Sequence, residues 1–249
     1  MADPIYDFGL RVNEDYVLMK KAAASMPRRR VLLATVEVSS RREGLEAAIA
    51  ALSDTHHELT FVRAPMVDRG KFDNINAAIG SIAINEFDWF VVFDDDIEVQ
   101  PRFLDDFLYM SEQAGLVLSQ PAHRIGSHFS WEVNRRIWGT LARKTHFVEC
   151  GPITAFHRSI VNRIVPFPAT RYAWGIDMLW SEIVRGAGLS LGVIDATPIR
   201  HTRPVATSYS YAAATQEMHE LLRAYGYNNV DPKKYMVTEA KITGLPDLD

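Results

Sequence analysis

Trp89-Phe90-Val91-Val92-Phe93, followed at once by Asp94-Asp95-Asp96, is the stretch that decides the fold of this chain. An unbroken apolar run of aromatic and β-branched residues at strand length fits a strand buried on both faces, as in a parallel sheet covered by helices. Two similar runs precede it, at residues 30–38 and 58–63. Between those two, Leu45, Ala48, Ile49 and Leu52 recur at helical spacing, and Ile75, Ala78, Ile79 and Ile82 do so before the third. Strand, helix, strand, helix, strand implies right-handed parallel crossovers and a doubly wound sheet. Ligands of such sheets bind beyond the carboxyl ends of the strands, where the aspartates stand. The expected class is therefore α/β, a Rossmann-like sandwich with a mainly parallel central sheet.

Further along, Phe103, Leu104, Phe107 and Leu108 mark a helix after Pro101, and 115–119 can form a short strand. Residues 121–145 lack a clear period. Residues 146–157 read as one strand with Gly151-Pro152 inside it, 177–187 as a helix, 189–194 as a short strand and 216–225 as a last amphipathic helix before a polar tail. Upstream, residues 1–27 form a peripheral lead-in with one helix at 14–25.

The chain has 249 residues, 47% hydrophobic and 23% charged, which fits a soluble globular protein with a sizeable core. A net charge of −4 gives no reason to expect nucleic acid as a partner. The first residues lack a basic, apolar leader, no apolar run reaches the roughly 18–20 residues of a membrane span, and Cys150 has no cysteine to pair with. These features favour the cytoplasm, with peripheral membrane contact through a patch such as Arg28-Arg29-Arg30 left open. His56-His57 has no acid or cysteine at ligand spacing and reads as a solvated strand entry.

Three adjacent carboxylates repel one another unless a cation offsets them. Asp94 and Asp96, at i and i+2 on a turn leaving a strand, can reach one side of a hard divalent cation such as Mn²⁺ or Mg²⁺, and Asp95 offers a second register. A solvated turn rich in Asp is the plainer alternative.

Phe93-Asp94-Asp95-Asp96-Ile97 with Pro101 and Phe103-Leu104 resembles the aspartate segment and Pro-x-x-Leu of family-2-like GT-A glycosyltransferases. Lys71-Phe72-Asp73-Asn74-Ile75-Asn76-Ala77-Ala78 resembles that family's Lys-x-x-Asn-x-Asn-x-Ala helix, and Ser40-Arg41-Arg42-Glu43-Gly44-Leu45 its opening segment. The resemblance covers about residues 30–108, and more loosely 148–201. It implies a metal-dependent enzyme that moves a sugar from a UDP- or GDP-sugar donor to a hydroxyl of a carbohydrate or glycoconjugate acceptor. Residues 28–210 would form a single catalytic domain, with 28–108 holding the nucleotide sugar and 109–210 the acceptor, and 211–249 a C-terminal helix and tail.

On the same basis Lys71, Asn74, Asp94 and Asp95 contact the donor, although Lys71, Asn74 and Asn76 also suit an ordinary helix start. Trp174-Gly175-Ile176-Asp177 resembles the family's Gly-Glu-Asp, whose second acid is the base of an inverting transfer. This makes Asp177 the candidate base, with Ile176 a departure from the pattern. A helix-start acid is also favoured by the dipole alone. His201 resembles the late histidine that joins Asp94 and Asp96 around the metal, and Arg200 and Arg203 flank it as candidates for the diphosphate. Residues 151–158 resemble the acceptor-side strand. Trp138, Trp174 and Trp180 can stack on sugar rings or pack in the core.

Three rivals remain. A haloacid-dehalogenase-like phosphatase would carry Thr or Val soon after its second Asp, where Ile97 stands, and a late Asp pair. A sugar-nucleotide pyrophosphorylase would carry a Gly-rich loop at the first strand exit. A non-catalytic sugar-nucleotide-binding module would keep the fold without turnover.

Overall fold

The computed structural model describes residues 2–204, 210–228 and 230–245. Its first three strands are β1 (Arg30–Glu37), β2 (Glu58–Pro65) and β3 (Trp89–Phe93), joined through α3 (Arg42–Leu52) and α4 (Lys71–Ile79). They lie parallel in the order β2-β1-β3, with Arg30 opposite Glu58 and Val31 opposite Trp89. Successive strand residues point to opposite faces. Val31, Leu33, Trp89, Val91 and Phe93 therefore pack with α3 and α5 (Phe103–Gln113), while Leu32, Ala34, Phe90 and Val92 pack with α4, α6 (Arg158–Ile164) and α7 (Ile176–Gly186). Helices on both faces explain why β3 is apolar throughout.

The second half adds β4 (Ile97–Glu98), β5 (Leu116–His123), β6 (Ala142–Thr145), β7 (Ile153–His157), β8 (Ser190–His201), α8 (Tyr211–Ala224) and β9 (Thr238–Ile242). The sheet runs β2-β1-β3-β7-β5-β8-β6-β9, with β4 paired to β8. β1, β2, β3, β5, β8 and β9 point one way and β4, β6 and β7 the other, so the sheet is mixed.

Two stretches differ from the expectation. Residues 146–157 are not one strand: β6 ends at Thr145 beside β8, and β7 begins at Ile153 beside β3. The apolar signal between them comes from a buried loop, in which Phe147 and Val148 fill two separate clusters. The polar tail contains β9, an antiparallel edge strand on β6, where exposed charge is the usual protection. Positions 246–249 lie outside the described residues, as do 205–209.

The lead-in contributes to the core. α1 (Ala2–Arg11) precedes α2 (Glu14–Ser25), which Asn13 caps by accepting the Tyr16 N–H at 2.8 Å. α2 buries Met19 and Ala23 in the cluster that holds α5, and Lys20 meets Asp106 of α5 at 2.6 Å. Asp3 and Asp7 of α1 grip Arg136, and Asp7 also meets Arg124. Two of the three arginines at 28–30 are paired, Arg29 with Glu112 and Arg30 with Glu86. Among the described residues no helix is long and apolar enough to cross a membrane.

Candidate active site

β3 delivers the aspartates to the rim of the sheet, and the next turn is fastened from two sides. The Asp94 N–H donates to the Pro152 carbonyl at 2.8 Å, and the Asp96 carbonyl accepts the Thr202 N–H at 2.9 Å. Pairing of Ile97 with His201 across β4 and β8 sets Asp96 beside His201.

Two glycines make room. A Cβ on Gly44 would stand 2.5 Å from the Asp95 carbonyl oxygen, and one on Gly151 would stand 3.0 Å from Asp94 Oδ2. The obstacle at Gly44 is backbone, so Gly44→Ala must push the aspartate turn away from α3. Urea denaturation of this variant is expected to show a loss of about 1–3 kcal/mol.

The carboxylates are offset by protein cations. Lys71 Nζ meets Asp94 Oδ1 at 2.5 Å, Arg203 Nε meets Asp96 Oδ2 at 2.9 Å, and the Arg203 guanidinium also binds Asp95. His201 Nδ1 lies 3.2 Å from the His128 carbonyl, an acceptor only, so that nitrogen carries a proton. Its Nε2 then faces Asp96 Oδ2 at 3.0 Å, lone pair to lone pair in the neutral tautomer. Such a contact needs a cation between the two atoms, a second proton or a metal ion. Burial works against the second proton, but the Asp96 hydrogen bond and charge outweigh it and raise the His201 pKa. Ligand atoms of Asp94, Asp96 and His201 all lie within 4.8 Å of one another, and this oxygen-rich set with one imidazole fits Mn²⁺ or Mg²⁺.

A second cluster, His56, His57 and Asp105, has similar spacing but does not fit an ion. The Arg29 N–H points at His57 Nδ1 from 3.2 Å, which leaves the proton on Nε2 and no lone pair toward Asp105. Arg102 pairs with Asp105 and lies 3.5 Å from His56 Nδ1, so what separates this cluster from the first is the missing His57 lone pair. Burial, then the His56 charge, lowers the His57 pKa to about 4. The reading of His56-His57 as a solvated entry is thus corrected: His57 is buried, and its acid comes from α5, remote in sequence.

A cavity of about 920 Å³ opens from the aspartates, lined by Lys71, Asp94 and His201 on one side and by Glu149, Trp174 and Asp177 on another. Asp177 occupies the first turn of α7, just past Gly175, whose φ of 83° starts the helix sharply. Its carboxylate accepts the Met178 N–H at 2.9 Å. Burial, then the nearby charge of Glu149, pushes its pKa up to about 7. Ile176 is fully buried in the apolar cluster of α6 and α7. A carboxylate there would lack a partner.

No profile of a known protein family matches the chain, and no curated protein matches it in sequence. Solved structures do match. S. aureus TarS aligns over 83% of this chain and 76% of its own at 10% identity, with a TM-score of 0.50. A Drosophila β1,4-galactosyltransferase 7 mutant, in complex with manganese, UDP-Gal and xylobiose, aligns over 76% of this chain and 79% of its own at 16% identity, with a TM-score of 0.46. The chain has a GT-A fold. At these identities the likeness is one of fold, and what the site does rests on its own residues.

Within this GT-A fold the expected residues divide. Lys71, Asp94, Asp177 and His201 meet around one cavity, and Asp96 adjoins His201 at its edge. Asp95 is buried against Arg203. Asn74 donates to the Gly70 carbonyl at 3.1 Å and so braces the loop that walls the cavity, while Asn76 is clamped both ways to the Phe167 backbone. Arg200 turns outward to Glu98 at 3.6 Å, and Arg203 is the arginine at the aspartates. Trp180 is core, Trp138 stacks edge-on against Tyr6 of α1, and Trp174 lines the cavity. Glu149 carries no signal of its own in the sequence. It lies between Val148 and Cys150 in an apolar stretch, and its neighbours in space come from distant segments.

Proposed function

We propose that this chain is a metal-dependent glycosyltransferase that moves a sugar from a UDP- or GDP-sugar to a hydroxyl of a carbohydrate or glycoconjugate acceptor, with inversion at the anomeric carbon. One observation carries this reading: a single cavity brings the ligand set of Asp94 and His201, with Asp96 at its edge, together with the buried Asp177.

Asp94, Asp96 and His201 would hold the ion. When bound, a divalent cation offsets the negative charge that develops on the departing diphosphate. Lys71 and Arg203 neutralise the same carboxylates and would turn to diphosphate oxygens as the ion takes their place. Asp177 accepts the proton of the acceptor hydroxyl as its oxygen bonds to the anomeric carbon. The bond from that carbon to the diphosphate oxygen breaks, and its electron pair leaves with the diphosphate. A base whose pKa lies near 7 is well matched to this task.

Calorimetry with a panel of UDP- and GDP-sugars, with Mn²⁺ and then with excess EDTA, tests the reading. Metal-dependent binding accompanied by slow release of free nucleotide in the absence of acceptor is expected. Binding with no release from any donor would favour the non-catalytic module, and no binding at all would overturn the donor site.

A further inference from the structure

Resting on the proposed transfer, we propose that Glu149 is a second carboxylate of the acceptor site, accepting a hydrogen bond from another hydroxyl of the acceptor while Asp177 takes the proton of the attacking one. The two acids reach the same cavity from separate elements, Asp177 from α7 and Glu149 from the loop between β6 and β7. The acceptor class this geometry recognises is a polyhydroxylated ring, with Trp174 and Trp131 on the cavity wall offering flat apolar surface.

Three features set Glu149 apart from an ordinary structural acid. It is 8% exposed, and an ionised carboxylate at that depth needs partners to offset its lost hydration. Partners are present: Asn134 Nδ2 donates to Oε2 at 3.2 Å, and His123 Nε2 lies 3.6 Å away. Burial opposes ionisation, but His123, Ser130 and Asn134 outweigh it and lower the Glu149 pKa. The carboxylate itself is also incompletely used: it lines the cavity with acceptor capacity beyond its Asn134 hydrogen bond, which a hydroxyl of a bound ligand would fill.

The same shell connects to the donor end. His123 Nδ1 lies 3.2 Å from Ser127 Oγ, which accepts the His201 N–H at 2.8 Å. His123 thus stands between Glu149, 3.6 Å from its Nε2, and the hydrogen bonds that hold the end of β8 bearing His201.

The test compares Glu149→Gln with Glu149→Asp, using thermal melting to confirm folding. First, carboxylate ¹³C NMR follows Asp177 in the free protein. The groups facing Asp177 are Glu149, the N–H and thiol of Cys150 and the Met178 N–H, with the Lys71–Asp94 pair across the cavity. Glu149→Gln is expected to lower the Asp177 midpoint by about one pH unit or more, and Glu149→Asp to restore most of it. Second, transfer from the donor found by calorimetry is assayed on a panel of methyl glycosides. Glu149→Gln should raise the acceptor KM about tenfold or more while leaving donor affinity unchanged. An unmoved KM would make Glu149 structural and overturn the proposal, whatever the midpoint does. If wild-type protein releases no nucleotide from any donor, the transferase reading fails, and the titration still decides whether the two acids form a pair.

Discussion

Asp96→Ala is expected to weaken nucleotide-sugar binding in the presence of Mn²⁺ by at least about 100-fold and to abolish its response to chelator. Asp96 is the most heavily engaged of the three aspartates. Its carboxylate meets His201 Nε2 at 3.0 Å and Arg203 Nε at 2.9 Å, while its carbonyl is held by Thr202. Removing the carboxylate takes away one ligand and also the group that His201 Nε2 faces at 3.0 Å, so the second ligand loses the contact that orients it. Arg203 keeps its contact with Asp95, so the cationic side chain remains where a metal ion would be repelled. Asp95→Ala makes the contrast: Asp95 does not belong to the cluster of ligand atoms, and its loss should cost far less. Isothermal titration with and without EDTA decides. Unchanged donor affinity in Asp96→Ala, insensitive to chelator, would remove the metal site from the account.

The parts of this site that can be read in the sequence share one property: each is encoded by residues close together along the chain. β3 is legible because a strand covered on both faces must be apolar at every position, and the aspartates are legible because they end it. Asp177 and His201 stand at the ends of regular elements, where local pattern is strong. What stays hidden is encoded by distant pairs. Glu149 joins the cavity wall only when the loop after β6 folds against Asp177, and Asp105 meets His56 and His57 only when α5 docks beside the loop before β2. The order of Arg200 and Arg203 depends on the strand's last residues: β8 sends Arg200 outward in its pairing with β4, and the chain must leave the strand before Arg203 turns back to the aspartates. The extra strands β4, β6 and β9 stay hidden for a related reason, since such short strands carry little period of their own.

Asp177→Asn is expected to spare donor binding and reduce transfer by about 10²–10⁴-fold. The amide keeps an oxygen for the Met178 N–H, so the turn at the start of α7 is retained, but it cannot accept the hydroxyl proton. Wild-type transfer should rise with pH through about 7, where Asp177 ionises, and level off above it, whereas residual turnover of the variant should lack this limb. The same group leaves a mark on stability, independent of any substrate. Its folded pKa of about 7 lies above the ordinary value of 3.8, so the folded protein holds a proton that the unfolded chain releases in between. The contribution is therefore fully present below pH 4 and is lost as pH rises through 7. Over that interval it amounts to at most about 4 kcal/mol. An asparagine buries no charge, so the variant should gain on the wild type as pH rises and melt at a higher temperature at pH 8, with the difference shrinking toward pH 4. Melting curves of both proteins across this range check the sign. A difference that does not vary with pH would mean that Asp177 is not held protonated in the fold, and its fitness as a base at neutral pH would lose its physical support.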